Sequence, residues 1–229
     1  MITVVGWHEG RVVASFSLGH GDDPVEGLAA RGWAGRPQGA DGVLGDLTLR
    51  YVVEPASPAV RRDGGPEGPG LTLAERVGLV PRQRLAAYAV VVAEERLLLT
   101  QLAPRTGAPG RWNLPGGGVD EGEAPDAAVV REVAEETGQE VDTVRLVDVM
   151  TQHWVGRSQR GLEDYHAVRL LHTARCPRPT RPVVHDVGGS TSDALWVPLE
   201  ELPSLEVVAS VKVALRAVGL VDDHAWPQS

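Results

Sequence analysis

Residues 117–139 read Gly-Gly-Val-Asp-Glu-Gly-Glu-Ala-Pro-Asp-Ala-Ala-Val-Val-Arg-Glu-Val-Ala-Glu-Glu-Thr-Gly-Gln, and this stretch decides how the rest of the chain is read. Pro125 suits a first helical turn, where a missing N–H leaves no bond unmade. Asp126 puts negative charge at the positive helix end. Ala127, Ala128, Val129, Val130, Val133 and Ala134 are compatible with a packed helix, and Gly138 provides a C-terminal stop. The pattern predicts a helix over 125–137.

On that helix Glu132, Glu135 and Glu136 stand at i, i+3 and i+4, so they share one face. Carboxylates this close repel one another, and a divalent cation removes the conflict. An all-oxygen donor set selects Mg²⁺ or Mn²⁺, and Mg²⁺ is commonly shared with substrate phosphates. Arg131 adjoins the cluster and is placed to orient one glutamate, with Glu123 as its partner. Upstream, Asn113-Leu114-Pro115-Gly116-Gly117-Gly118 is a turn whose consecutive glycines let backbone approach a ligand, and a carbonyl there would complete a metal shell. A run such as Glu-Val-Ala-Glu-Glu ordinarily marks only a solvated helix face. Its conjunction with the triple glycine, Glu123 and Arg131 at fixed offsets singles it out.

Taken together, Gly117, Glu123, Arg131, Glu132, Glu135, Glu136 and Gly138 fall at the spacing G-x5-E-x7-R-E-V-x-E-E-x-G. The segment resembles the Nudix box, in which aliphatic residues occupy the variable hydrophobic slots. Val133 fills the first slot. The last holds Gln139, a departure, with Val141 two residues on; in the family that residue packs the helix end on the core. Gly110–Gly117 resembles the stretch that precedes the box in MutT-like members. The resemblance covers roughly residues 84–220 and implies an α/β/α sandwich. It also implies hydrolysis of a diphosphate linked to another moiety, usually a nucleoside. It makes Glu132, Glu135 and Glu136 metal ligands, with the Gly116 carbonyl a further one, and gives Arg131 the task of holding a glutamate. Glu132 is the choice for general base, while Glu123 and Gly138 are structural members of the motif.

The chain has 229 residues, enough for one large domain or one domain and a small one, and 42% of them are apolar. The single cysteine, Cys176, excludes an internal disulfide and fits a reducing compartment. No apolar run approaches a membrane span, and the N-terminus lacks the signature of a signal peptide, so a cytoplasmic enzyme is expected. A net charge of −9 argues against long nucleic acid as a partner but not against a single nucleotide, because bound metal inverts the local field.

Residues 55–70 hold four prolines and four glycines, a linker or exposed-loop signal. They separate 1–54 from the Nudix-like part, 71–229. The first part reads as a small β-rich unit: strands Ile2–Val5 and Val12–Phe16 about a turn at His8-Glu9-Gly10, a short helix over Pro24–Arg31, and a strand Leu47–Val53. So small a unit buries only a modest core, so it is expected to pack on the second part or on another subunit, as in a homodimer. Its His8, His20, Trp7 and Trp33 read as packing or surface residues. In the second part the pattern predicts a helix over Leu73–Val80, then a hairpin of Ala86–Ala93 and Arg96–Gln101 turning at Glu94-Glu95. Strands follow at Val144–Gln152, Tyr165–Thr173 and Ala194–Pro198, then a turn at Pro198–Leu202 and a helix Val207–Val218. The class is α+β: a Nudix-type α/β/α sandwich on a mixed sheet, plus the small N-terminal unit.

Substrate contacts are expected from Arg105 in the loop before the box, from Trp112 as a stacking surface and from the backbone at Gly117. His153 and Trp154, and a polar loop Gly156–Gly161 with Arg157 and Arg160, stand where specificity loops often lie. Glu163 and Asp164 are candidates for a late metal ligand or base, and the Asp186–Asp193 segment for a flap. The leading function is metal-dependent pyrophosphohydrolysis of a nucleoside triphosphate, normal or oxidised. ADP-ribose and nucleotide-sugars are the alternative substrates. A nucleotide-sensing module without turnover is the alternative class, against which the intact glutamates speak.

Overall fold

The computed structural model describes residues 1–57, 71–158, 161–186 and 188–222; most of the 55–70 stretch, and Arg160, lie outside the described residues. Contacts divide the chain into two compact units. The first comprises Met1–Ala86 and Val149–Arg169, the second Ala87–Asp148 and Leu170–Ser229.

In the first unit β1 (Ile2–His8) and β2 (Arg11–Ser17) form the expected hairpin, with Glu9 and Gly10 both at positive φ, 48° and 76°. A two-residue turn with both φ values positive matches the strand twist. Helix α1 (Pro24–Ala29) follows, capped by Asp23, whose Oδ1 accepts from the N–H groups of Val25 and Glu26. Strand β4 (Asp46–Pro55) buries every second side chain, Leu47, Leu49, Tyr51 and Val53, in line with the expected strand. It runs parallel to β1.

Strand β3 (Trp33–Val43) is not legible in the sequence. Its Gly-Arg-Pro-Gln-Gly-Ala-Asp-Gly run has no apolar alternation. It forms because it is an edge strand, in the sheet order β2-β1-β4-β3, where Pro37 loses nothing beside a bulge between Pro37 and Gly39. Gly35 is required there: a Cβ would stand 2.5 Å from the Val52 carbonyl oxygen. Helix α2 (Leu73–Val77) is shorter than expected and carries a capping box between Thr72 and Glu75.

The larger sheet is built on β5 (Pro81–Ala93), β6 (Arg96–Leu102), β9 (Asp142–Ser158), β10 (Gly161–Arg175) and β11 (Thr191–Pro198), in the order β11-β6-β5-β10-β9. Short β7 (Trp112–Asn113) pairs with β6, and β8 (Gly116–Gly118) with β5. The β5–β6 turn is the expected Glu94-Glu95, with φ of 51° and 58°. From Leu85 to Val91 only Tyr88 escapes burial, as befits a strand covered on both faces. Strand β9 continues through His153 and Trp154 to Ser158, so the expected specificity loop is strand for most of its length. Helix α3 (Pro125–Thr137) has the predicted limits and buries Ala128, Val129 and Val133. A 3-10 helix (Leu199–Ser204) occupies the expected turn, and α4 (Ala209–Ala217) buries Val211, Ala214 and Leu215. Mixed sheets with helices give the α+β class that the sequence predicts. No described helix is long and apolar enough to cross a membrane.

Candidate active site

The site grows from one end of α3 to the other. Gly138 ends the helix at φ 67°, a left-handed conformation natural to glycine. Two carbonyls of the last turn find partners outside the helix: Val183 N–H donates to Thr137 O at 2.9 Å, and His185 N–H to Glu135 O at 2.8 Å. Gln139 is fully buried, yet every polar atom of its amide is used. Its Nε2 donates to Thr137 O at 3.1 Å and Thr180 Oγ1 at 3.0 Å, and its Oε1 accepts from Thr180 N–H at 2.9 Å. A hydrogen-bonded amide thus takes the aliphatic slot without leaving an orphan.

Arg131 organises the middle of the site. Its guanidinium grips both oxygens of Glu123, at 2.8 and 2.9 Å, in the bidentate geometry that suits this side chain. It also donates to Glu132 Oε1 at 2.9 Å, to Glu135 Oε2 at 3.3 Å and to the Gly118 carbonyl at 3.0 Å. One cation therefore ties the turn, the loop glutamate and two helix glutamates together. Hydrogen bonds from Arg131 hold the Glu123 carboxyl below its usual range. Glu132 goes the other way: burial raises it, against the pull of Arg131.

Glu136 is the most deeply held carboxylate, with 4% of its surface exposed. Gly116 N–H donates to its Oε2 at 3.0 Å, while the hydroxyls of Thr191 and Ser190 donate to its Oε1. Burial pushes its pKa up to about 7 despite those donors. Ser190 and Thr191 were legible only as part of a flap candidate; their contribution here is to fix a carboxylate. No motif flags them, because the chain returns to α3 from 54 and 55 residues away.

The glycines are structural necessities. A Cβ on Gly117 would stand 2.5 Å from Glu132 Oε1, and one on Gly116, at φ 144°, would stand 2.3 Å from the Ala87 carbonyl oxygen. The residues expected to hold a metal, Glu132, Glu135, Glu136 and the Gly116 carbonyl, all offer oxygen, the donor chemistry of a hard divalent cation. Among the described residues the three carboxylates do not all come within 4.8 Å of one another. In the side-chain positions seen, Glu136 faces the turn and Ser190–Thr191, Glu132 is held by Arg131, and Glu135 is about half exposed. Of the expected substrate contacts, Arg105 is exposed between β6 and β7. Trp112 is half-buried, its backbone bonded to Glu206 O and Val208 N.

Comparison with known proteins agrees with the geometry. The profile described as NUDIX domain matches residues 82–217, more than half of the chain. Nucleoside triphosphatase NudI of Escherichia coli O139:H28 (strain E24377A / ETEC) is 28% identical over 148 residues, covering 61% of this chain and 99% of that protein. NudI of Shigella flexneri gives the same figures, 28% identity over 148 residues. Among solved structures, a MutT NUDIX hydrolase from Burkholderia pseudomallei is 28% identical with a TM-score of 0.50, covering 60% of this chain and 98% of that one. The sequence box, the clamped glutamates and the profile that spans them converge: the chain belongs to the Nudix family of hydrolases.

Proposed function

We propose that the protein hydrolyses a phosphoanhydride bond of a nucleoside triphosphate, normal or oxidised, with Mg²⁺ or Mn²⁺ held by Glu132, Glu135, Glu136 and the Gly116 carbonyl. The observation that carries this reading is the Arg131 clamp, which binds Glu123 through both oxygens and still reaches Glu132. A helix face merely solvated by glutamates has no need of such an arrangement. When bound, the cation supplies positive charge against the phosphate chain and acidifies nearby water.

The chain's own residues do the remainder. Arg131 occupies Glu132 Oε1, which leaves Oε2 to take the proton of an attacking water as general base. Glu123 keeps Arg131 from drifting toward the substrate phosphates. The Gly116 N–H and the Thr191 hydroxyl fix Glu136. Water attacks phosphorus in line and the anhydride oxygen leaves with its phosphate. Arg105, Trp112 and the Gly117 backbone are assigned to substrate binding. Similarity to the NudI nucleoside triphosphatases supports this substrate class. The single, buried Cys176 is consistent with a cytoplasmic setting.

The test is a Mg²⁺-dependent product screen, run with and without EDTA, over nucleoside triphosphates, ADP-ribose and nucleotide-sugars. A nucleoside monophosphate with pyrophosphate, lost in Glu135→Gln, supports the assignment. Turnover of ADP-ribose to AMP and ribose 5-phosphate with triphosphates left intact overturns the substrate class. Nucleotide binding without turnover of any compound would make the protein a sensor.

A further inference from the structure

Three of the chain's seven histidines gather in the first unit, brought there from distant parts of the sequence. His20 lies in the turn after β2, His153 in β9 and His166 in β10. Nε2 of His20 and Nε2 of His153 lie 2.6 and 2.7 Å from the same oxygen, Asp164 Oδ1. One ligand atom from each of His20, His153 and Asp164 fits within a span of 4.8 Å, the only such His/Cys/Asp/Glu trio among the described residues. All three side chains keep 20–23% of their surface exposed, so an ion from solvent can reach them.

Two further observations separate this group from an ordinary pair of hydrogen bonds. His166 is fully buried; its Nδ1 lies 3.0 Å from Gln83 Nε2, and its Nε2 has no partner among the described residues. A buried ring nitrogen left unmatched carries a desolvation cost. The His20 and His153 imidazoles also have the spacing of rings around one ion, with centroids 5.0 Å apart. A metal–nitrogen distance of about 2 Å puts tetrahedrally arranged imidazole centroids about 5 Å apart. The backbone is shaped to admit the ring of His153. Gly21 sits at φ 78°, and a Cβ there would stand 2.8 Å from His153 Nδ1.

We propose that His20, His153 and Asp164 form a second metal site, selective for a borderline divalent cation of the Zn²⁺ type. Two imidazoles and one carboxylate are a donor set that favours Zn²⁺ over Mg²⁺ and leaves a coordination position open. It shares no residue with the glutamate cluster. The sequence offers Asp164 as a candidate late metal ligand but not its partners: His20 reads as a packing or surface residue, and only the fold brings it and His153 to the Asp164 carboxylate.

Equilibrium dialysis of the full chain against Zn²⁺ alone tests the site, in a Glu132→Gln/Glu135→Gln background that weakens the glutamate cluster. One Zn²⁺ per chain is expected, with affinity reduced at least tenfold by Asp164→Asn or His153→Gln and unaffected by excess Mg²⁺. Near-UV circular dichroism shows whether each variant folds. Should either variant unfold, Co²⁺ is titrated into the folded background protein, where visible d–d bands of low-coordinate Co²⁺ support the site. Zn²⁺ binding that survives both substitutions in folded protein overturns the proposal. So does the absence of Zn²⁺ binding in the background protein, or a Co²⁺ spectrum that stays that of the hydrated ion.

Discussion

Gly117 shows how closely this site is fitted at the level of single residues, since any side chain there would enter the space of the Glu132 carboxylate. Gly117→Ala is expected to displace Glu132 from its Arg131 contact. Misplacement on the order of 1 Å costs about 100-fold in rate, so kcat should fall by about that factor. Steady-state kinetics checks this, and an unchanged kcat would remove Glu132 from the reacting centre. Glu123 acts one step further out. It touches Arg131 rather than the proposed reacting atoms, and Glu123→Gln leaves the guanidinium with one good acceptor there instead of two. Outer partners of this kind are worth about 10- to 100-fold. The loss should appear as weaker apparent Mg²⁺ affinity in a metal-titrated activity assay, with KM for nucleotide little changed.

At the scale of elements, α3 depends on how it ends. Gly138 combines a left-handed φ with close neighbours, for a Cβ would stand 3.0 Å from His185 Nε2 and 3.2 Å from the Val183 carbonyl oxygen. An L-residue at left-handed φ costs about 1–2 kcal/mol. Gly138→Ala should therefore lower the melting temperature by several degrees, measurable by calorimetry, and loosen the 183–186 segment that covers the helix end. Strand β10 carries a different liability. His172 is buried with Nδ1 3.3 Å from the Tyr88 carbonyl, and Asp126 is the charged group that bears on it. Burial lowers its pKa to about 4, whereas unfolded histidine titrates near about 6.5. The folded state therefore binds fewer protons across that window. The stability this site contributes is intact above pH of about 6.5 and is lost as pH falls toward 4, by about 3 kcal/mol. Urea unfolding of wild type and His172→Gln at pH 7 and pH 4 isolates the effect: acidification should penalise the wild type by that much more. Parallel losses in the two proteins would show that His172 does not carry it.

For the molecule as a whole, the proposed function makes the folded state a receptor for divalent cations through the carboxylates of α3. A ligand that binds only the native state stabilises it by about 2.7 kcal/mol at 100 times its Kd. Saturating Mg²⁺ is thus expected to raise the melting temperature of the wild type and to leave Glu135→Gln/Glu136→Gln almost unmoved. Equal shifts in both proteins would place Mg²⁺ elsewhere. A net charge of −9 also predicts no gel shift of long duplex DNA at physiological salt.

The sequence by itself determined the local parts whose geometry follows from neighbours along the chain. Helix α3 runs over the residues its proline, apolar spacing and terminal glycine prescribe, and the two hairpin turns fall at Glu9-Gly10 and Glu94-Glu95. Arg131 meets Glu132 as its neighbour in the chain and Glu135 one turn on, where helical periodicity brings i and i+4 together. Tertiary structure decided what depends on partners far away in the chain. Strand β3 exists only because β4 offers it an edge, despite a composition that disfavours strand. Thr191 and Ser190 reach Glu136, and Thr180 satisfies Gln139, after the chain has run out and back through β9 and β10, a return that no local pattern announces. His20, His153 and Asp164 meet because residues 149–169 fold with 1–86, a pairing set by sheet register and burial rather than by any spacing in the sequence.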